Sequence, residues 1–264
     1  MPEHLKNKSH HHFIFFKKMK IIFIRTYKYI DMTNFYKQIT KIMLIIAILL
    51  ICIGSVSAEG NFTALQNEID NSGNVLEITQ DYTFNKSTDE GLGGGFLLNN
   101  KENFIINGNG HILDGANLSS IFYITTDNIA INNLTFINGR SMSGGAIGAS
   151  GHNVTLNNVI FINNHADFRG GAVTCGEEVT INNAQFIDNT ARDEGNSLDV
   201  SFHSILTLNN CTFSNTQEIL KFMVYADDST LYVNNCIFAN TTSKYGTAIF
   251  SNEMHSLQIQ HSLT

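Results

Sequence analysis

The stretch VTLNNVIFINN, residues Val154 to Asn164, decides the fold of this chain because close copies of it recur at a fixed distance. Each copy is a run of alternating apolar residues that is interrupted by two asparagines. The alternation, with its β-branched and aromatic residues, is typical of β-strands. Asparagine is depleted in strands, so the pair indicates a regular break between two of them.

The copies recur with a period in the twenties. The first asparagine of each pair falls at positions 132, 157, 182, 209 and 234, while Asn107 and Gln260 extend the series at either end. A fixed period of this length indicates a solenoid. Leucine-rich repeats share the period but need leucine at many fixed positions and a helical stretch. We therefore predict an all-β, right-handed, single-stranded parallel β-helix with about 7–8 coils of about 25 residues each.

The asparagine pair is predicted to turn a corner of each coil. Leu156 before the pair and Val159 and Phe161 after it should point into the core. Asparagine tolerates the left-handed backbone conformation that a corner requires. Coils stack about 4.8 Å apart, so equivalent asparagines can bond to one another as a ladder. We assign this ladder to the second asparagine of each pair: Asn133, Asn158, Asn183, Asn210 and Asn235.

A glycine motif leads into a further strand of the repeat. The motif is GGAI at Gly144–Ile147 and GGAV at Gly170–Val173, and GNSL (195–198) and GTAI (246–249) are interpreted as diverged copies. Paired glycines permit a tight bend and a close backbone approach. The repeat glycines are Gly144, Gly145, Gly170 and Gly171.

Three cysteines lie downstream of Ala58, namely Cys175, Cys211 and Cys236. Such a small, odd number argues against a disulfide scaffold. Cys211 and Cys236 occupy the inward slot that Val159 holds in its own copy. A bridge between them would be sterically allowed, but buried free thiols are the favoured interpretation.

The N-terminal segment, residues 1–58, has the features of a secretory leader. It holds nine of the 16 Lys and Arg residues and only two acids, and an apolar run extends over residues 42–53. The run is short for a membrane span and leads to an A-x-A-like cleavage site after Ala58. Translation is predicted to start at Met32, since residues 1–31 make the leader oddly long. An uncleaved anchor is the alternative.

Residues 59–264 are predicted to form the β-helix domain. They carry seven basic and 21 acidic residues, a balance that argues against nucleic acid or anionic lipid as a partner. Any membrane contact is then expected through the leader alone. The chain stops at LQIQHSLT inside a coil, so we expect a product truncated at its C-terminus, with a last coil that pairs with a partner as the alternative. The oligomeric state is left open.

Several motifs resemble those of known families. The combination of GGA[ILV] with F-x-x-N, as in FINN (161–164) and FIDN (186–189), resembles the repeat of the polymorphic membrane proteins. The leader, the asparagine-rich coils and residues 61–85 resemble the adhesin-like surface proteins of methanogenic archaea. INGNGHILDG (106–115) resembles an early coil of pectin-lyase-like proteins. The resemblance implies a pectin-lyase-like solenoid capped by a short helix at about Phe62–Asn71.

The resemblance also implies a function. The expectation is a secreted, cell-surface adhesin-like protein without catalytic activity or cofactor, whose partners are extracellular or cell-surface glycans and proteins. A polysaccharide-binding or polysaccharide-degrading β-helix is the alternative, and an architectural envelope protein is a second one.

Individual polar residues offer some chemistry, but none is assigned a catalytic or metal-binding role. Asp127, His152 and the pair Asp227–Asp228 are the best isolated catalytic candidates, because acid–base sites need clustered titratable groups. Three acidic residues lie at other positions of the repeat, namely Asp114, Asp188 and Asp199. Three arginines lie in its variable turns, namely Arg140, Arg169 and Arg192. The acidic turns are compatible with weak Ca²⁺ binding: Asp167, Glu177–Glu178 and Asp193–Glu194.

Glycosylation sequons form a last group of candidates. The candidate sites are Asn61, Asn85, Asn117, Asn153 and Asn240. Sequons also begin at Asn133 and Asn210, which would be occluded as ladder residues.

Overall fold

The computed structural model describes residues 60–216, 222–239 and 248–262, which form a parallel β-solenoid of about eight turns. This confirms the predicted fold class. Strands are numbered β1 to β26 in chain order. One α-helix, α1 (Phe62–Asn71), and one 3₁₀ turn (Glu90–Leu92) occur within the described residues.

Sheets 1 and 2 flank the asparagine corner. Sheet 1 contains the strands before the pair: β2 (Val75–Glu77), β5 (Phe104–Asn107), β8 (Ile129–Asn132), β12 (Val154–Asn157), β16 (Glu178–Asn182), β20 (Ile205–Asn209), β23 (Thr230–Asn234) and β26 (Ser256–Gln260). Sheet 2 contains the strands after it: β1 (Gly60–Asn61), β3 (Tyr82–Thr83), β6 (Ile112–Asp114), β9 (Thr135–Ile137), β13 (Ile160–Ile162), β17 (Gln185–Ile187), β21 (Thr212–Ser214) and β24 (Ile237–Ala239).

Sheets 3 and 4 complete the coils. Sheet 3 follows the glycine motif: β4 (Phe96–Leu98), β7 (Phe122–Ile124), β11 (Ile147–Ala149), β15 (Val173–Cys175), β19 (Leu198–Ser201), β22 (Val224–Asp227) and β25 (Ile249–Asn252). Sheet 4 is a short sheet in the turns between sheets 2 and 3: β10 (Arg140–Ser143), β14 (His165–Arg169) and β18 (Thr190–Ala191).

The core is filled by columns of identical or similar apolar side chains. Leu156, Val159 and Phe161 are fully buried, as the alternation predicts. Sheet 2 contributes a stack of five phenylalanine rings whose centroids are 4.6–5.0 Å apart and whose planes differ by 3–13°. The stack consists of Phe136, Phe161, Phe186, Phe213 and Phe238. It links five successive coils through one continuous aromatic column.

The second asparagine of each pair turns the corner, in agreement with the prediction. Its backbone is left-handed in every copy, with φ between 52° and 56°. These residues are Asn133, Asn158, Asn183, Asn210 and Asn235. All five side chains are exposed.

The continuous ladder runs through the first asparagine of each pair, which corrects the predicted register by one residue. Side-chain amides donate to the preceding coil over distances of 2.8–3.0 Å. The series is Asn107, Asn132, Asn157, Asn182, Asn209 and Asn234. The first asparagine still belongs to its strand and pairs in register with its equivalents, so its amide points along the stack.

Of the five predicted ladder residues, Asn158, Asn183 and Asn210 form a shorter ladder with bonds of 3.1–3.2 Å. Asn133 and Asn210 are exposed. The expectation that these two sequon asparagines would be occluded is therefore wrong.

A buried asparagine follows the phenylalanine stack and accounts for the F-x-x-N motif. Asn164 and Asn189 are fully buried. Asn189 Oδ1 accepts hydrogen bonds from the backbone N–H and the side chain of Asn164, each at 3.0 Å. Its Nδ2 donates to the carbonyl of Phe161 at 3.0 Å. Asn215 occupies the next coil and donates to the carbonyl of Asn189 at 3.1 Å.

The glycine motif is a tight bend, as predicted. Gly144 and Gly170 are left-handed, with φ of 67° and 63°. A Cβ on Gly145 would overlap the carbonyl oxygen of Gly171. GNSL is the next copy of the bend, because Leu198 pairs with Val173. In GTAI, residues 246–247 lie outside the described residues.

The helix α1 caps the first coil, as the resemblance implies. The Asn61 side chain accepts from the backbone N–H of Ala64 at 2.9 Å, which satisfies a donor at the helix start. Phe62 is fully buried, with its ring centroid 4.4 Å from that of Phe96. The carboxylate of Asp89 accepts from the backbone N–H groups of Phe62 and Thr63.

Cys175, Cys211 and Cys236 are free and buried, which agrees with the favoured interpretation. The leader, its cleavage site after Ala58, Met32 and the candidate Asn240 lie outside the described residues. Within the described residues, no helix combines the length and the apolar character that crossing a membrane requires.

Candidate functional site

The outer face of sheet 3 carries the most varied chemistry of the solenoid. Inward positions of this sheet are apolar, while one outward position per coil forms a column along the face. The register of the strands gives the column as Leu97, Tyr123, Gly148, Thr174, Asp199, Tyr225 and Phe250. Glycine, acidic and aromatic residues thus replace the repeated side chains of the other sheets.

Asp199 lies in the middle of this column and is largely shielded from solvent, with 7% of its surface exposed. Burial raises the pKa of Asp199 to about 6, and the hydrogen bond from Ser201 and the charge of Arg169 only partly oppose the rise. The carboxylates of Asp227 and Glu194 raise this pKa further. The Ser201 hydroxyl donates to Asp199 Oδ1 at 3.0 Å, and Ser201 pairs with Asp227 on the next strand.

Aromatic rings flank Asp199 on the side of the later coils. The rings of Tyr225 and Phe250 are stacked with centroids 5.1 Å apart and planes 3° apart. The guanidinium carbon of Arg169 lies 5.0 Å from the centroid of Tyr225, within the range of a cation–π contact. At the other end of the column, Tyr123 is 47% exposed. The face therefore combines flat apolar surfaces with a cation and two carboxyl groups.

The raised pKa of Asp199 predicts a pH-dependent cost to stability. The unfolded chain ionises at its ordinary value of 3.8, whereas the folded chain keeps the proton up to about pH 6. The stability that the protonated form contributes is therefore lost as pH rises from about 4 to 6. A difference of about two pKa units corresponds to about 3 kcal/mol.

Asp199→Asn should remove this loss. We expect the free energy of unfolding of D199N, relative to the parent, to increase by about 3 kcal/mol between pH 3.5 and pH 7.5. Urea denaturation at both pH values measures the difference, and titration of the groups that do not interact with Asp199 cancels in the comparison. A difference between the two proteins that stays constant with pH would contradict the assignment.

The corner between sheets 3 and 1 forms a second cluster of titratable residues. Nδ1 of His152 lies 3.5 Å from Asp127 Oδ1, and its Nε2 lies 3.4 Å from Glu177 Oε2. The three residues come from successive coils at the same position of the corner. One imidazole thus lies between two carboxylates, and all three side chains are about half exposed.

The next three coils carry the opposite arrangement at this corner. Oδ2 of Asp228 lies 3.2 Å from His203 Nδ1, and its Oδ1 lies 3.1 Å from His255 Nε2. The imidazole rings themselves are 5.1 Å apart between centroids. Here one carboxylate lies between two imidazoles.

The structure brings several sequence candidates together and separates others. Asp127 and His152 are neighbours. Asp227 lies on sheet 3, whereas Asp228 lies at the corner between sheets 3 and 1. Sequence reasoning missed Glu177, His203 and His255 as their partners. Glu177 follows His152 at the same interval at which His152 follows Asp127, and this spacing is the signal that could have found it. His203 and His255 lie at unequal intervals from Asp228, so a fixed period does not find both.

The other candidates have local roles. Asp114 accepts hydrogen bonds from Asn138 and from the backbone of Ala116, and Asp188 accepts from Thr216. Arg140 forms an exposed ion pair of 2.8 Å with Asp167, and Arg192 is exposed. Arg169, by contrast, belongs to the face of sheet 3. Among the glycosylation candidates, Asn85, Asn117 and Asn153 are exposed and Asn61 is the half-buried helix cap.

Fold and surface together define a parallel β-solenoid protein with one chemically irregular face. Comparisons with protein-family models, with curated proteins and with solved structures find no match for this chain.

Proposed function

We propose that this chain is an exported, adhesin-like β-solenoid protein that binds glycans at a cell surface or envelope through the outer face of sheet 3. The observation that carries the proposal is the stacked pair Tyr225–Phe250, which lies beside Arg169 and the carboxyl groups of Asp199 and Asp227. In this proposal the face binds its ligand without cleaving it.

The chemistry of the face matches the chemistry of a sugar chain. Binding sites are built from apolar and aromatic surfaces with a few polar groups that fix orientation. Tyr123, which is 47% exposed, and the parts of the stacked Tyr225 and Phe250 rings that reach solvent offer apolar contact to the C–H groups of pyranose rings. Arg169 can donate hydrogen bonds and Asp227 can accept them, which suits hydroxyl groups or an acidic sugar. A column that extends over several coils suits an extended polymer.

Sequence features support the location. The apolar run at residues 42–53, its basic flank and the Ala58 site are typical of an export signal. The acidic balance of residues 59–264 suits a soluble protein that faces outward.

A glycan array with the full chain tests the binding. We expect binding to a defined set of polysaccharides, and a loss of affinity of about two- to tenfold in Tyr225→Ala, because an aromatic contact contributes about 0.5–1.5 kcal/mol. Tyr232→Ala on sheet 1 is the matched control and should bind like the parent. No binding to any glycan, or equal losses in both variants, would overturn the proposal.

Cleavage of an acidic polysaccharide is the second candidate, and one observation favours it. Glycoside hydrolysis uses two carboxyl groups, one of which keeps its proton at a raised pKa. Asp199 has such a pKa, and Ser201 connects it to the strand of Asp227. Release of shorter fragments by the parent, together with their absence in D199N despite intact binding, would establish cleavage over simple binding.

A further inference from the structure

The corner cluster of His203, Asp228 and His255 has the composition of a transition-metal site. Each residue comes from a different coil, and each offers one ligand atom, all within 4.8 Å of one another. Two imidazole nitrogens and a carboxylate oxygen are ligands that zinc prefers. Within the described residues, this is the one group of three or more such side chains whose ligand atoms lie this close.

The nearest nitrogen–oxygen distances within the cluster are close to those around a tetrahedral ion. Ligand atoms at about 2.0–2.1 Å from zinc are about 3.3 Å from one another in a tetrahedron. The two nitrogen–oxygen distances are 3.1 and 3.2 Å, each to a different oxygen of Asp228. With one ligand atom taken from each residue, all three atoms lie within 4.8 Å of one another. Side-chain rotation that draws both imidazole nitrogens toward the Asp228 carboxylate would bring the ligand atoms around a common centre. Three protein ligands leave the fourth position open to water or to an external ligand.

The backbone holds these residues in place. The N–H of His203 donates to the carbonyl of Asp228, and that of His255 donates to the carbonyl of Ser229. Phe202 and His203 are both left-handed, with φ of 60° and 69°. This conformation is costly for a bulky residue such as phenylalanine. The Phe202 side chain is 79% exposed, so packing of this ring into the core does not offset the cost of the left-handed conformation. The conformation positions His203 beside Asp228.

The neighbouring corner cluster also combines histidine with carboxylates, but its geometry does not suit a metal ion. In the cluster of Asp127, His152 and Glu177, the two carboxylates approach different nitrogens on opposite sides of one ring. These nitrogens point away from each other, so the ligand atoms do not converge on one centre. The chain thus contains a corner histidine with two carboxylate neighbours that serves as a matched control.

We propose that His203, Asp228 and His255 bind a divalent transition-metal ion of the zinc type. The ion joins three successive coils at one corner of the solenoid. The site stands apart from the proposed glycan face, because its residues lie in the turns after β19, β22 and β25 and not on the strands.

Isothermal titration of the full chain with ZnCl₂ tests the site. Every sample carries H10N, H11N and H12N and no polyhistidine tag, so that the run at His10–His12 does not contribute. We expect one zinc ion per chain. H203N and H255N should each weaken the affinity about 100-fold or more, since even changes to residues that only support a ligand cost 10–100-fold. H152N should bind zinc like the parent.

The variants are chosen to keep the fold. Asparagine tolerates the left-handed backbone at His203, and Asp228→Asn serves as a third ligand variant on the same grounds, since φ is 45° there. Thermal unfolding without zinc should give the same midpoint for parent and variants, and zinc should raise the midpoint of the parent and of H152N only. CaCl₂ should neither bind this site nor shift the midpoint through it, because Ca²⁺ takes oxygen ligands. Absence of a stoichiometric zinc site, or equal weakening by H152N, would overturn the proposal.

Discussion

Phe186→Ala is expected to lower the free energy of unfolding by about 3–5 kcal/mol, the range observed for phenylalanine in a well-packed core. Phe186 is fully buried in the middle of the aromatic column, with ring centroids 4.9 Å from Phe161 and 4.6 Å from Phe213. The variant loses the transfer energy of the ring and both stacking contacts. It also leaves a cavity that rigid strands on either side cannot close.

Urea denaturation followed by circular dichroism measures this effect. Phe202→Ala is the matched control, because Phe202 is 79% exposed and its truncation should change stability by no more than about 0.5 kcal/mol. A similar loss in both variants would show that the column does not stabilise the solenoid.

Asn189→Ala is expected to destabilise the protein by about 2–5 kcal/mol, although asparagine is polar, because each unsatisfied buried group costs about 1–3 kcal/mol. The side chain is fully buried and makes three hydrogen bonds of 3.0 Å. Its removal leaves the N–H of Asn164 and the carbonyl of Phe161 without these partners in the interior. Urea denaturation of the variant and the parent at one pH measures the loss.

The adjacent coil provides a control for this second effect. Asn163 precedes the equivalent buried asparagine, is exposed, and has φ of 53°. Asn163→Gly keeps the backbone conformation available and loses only the exposed bond to Asn138. Its stability should lie within about 1 kcal/mol of the parent. Equal effects at Asn163 and Asn189 would refute the structural role of the F-x-x-N asparagine.

The fold was predictable because the repeat states the same pattern many times. Leu156, Val159 and Phe161 alternate as β-strands require, and the copies at one fixed period point to stacking. The ladder register was not predictable from alternation alone, since both asparagines of a pair are polar and face away from the core. The backbone conformation at the corner determines which asparagine forms the continuous ladder. The left-handed Asn158 points to solvent, whereas Asn157 keeps its strand geometry.

The candidate sites depend on the turns, where the period does not hold strictly. The sequence places Asp199 at another phase of the repeat, but the charges that act on it include those of Arg169 and Glu194, from two successive turns that are joined by an isolated β-bridge. The interval from His203 to Asp228 is shorter than the interval from Asp228 to His255, so a comparison of fixed phases does not align the three residues. Side-chain geometry in three dimensions was needed to bring them together.

The parallel pairing of all four sheets has a mechanical consequence. The backbone hydrogen bonds between coils point along the solenoid axis, so a pulling force along that axis acts on them in tension. A coil that detaches at one end releases about 25 residues, which extend to about 80–90 Å. Under load, the described coils would detach stepwise, one coil at a time, and each step would limit the force along the chain.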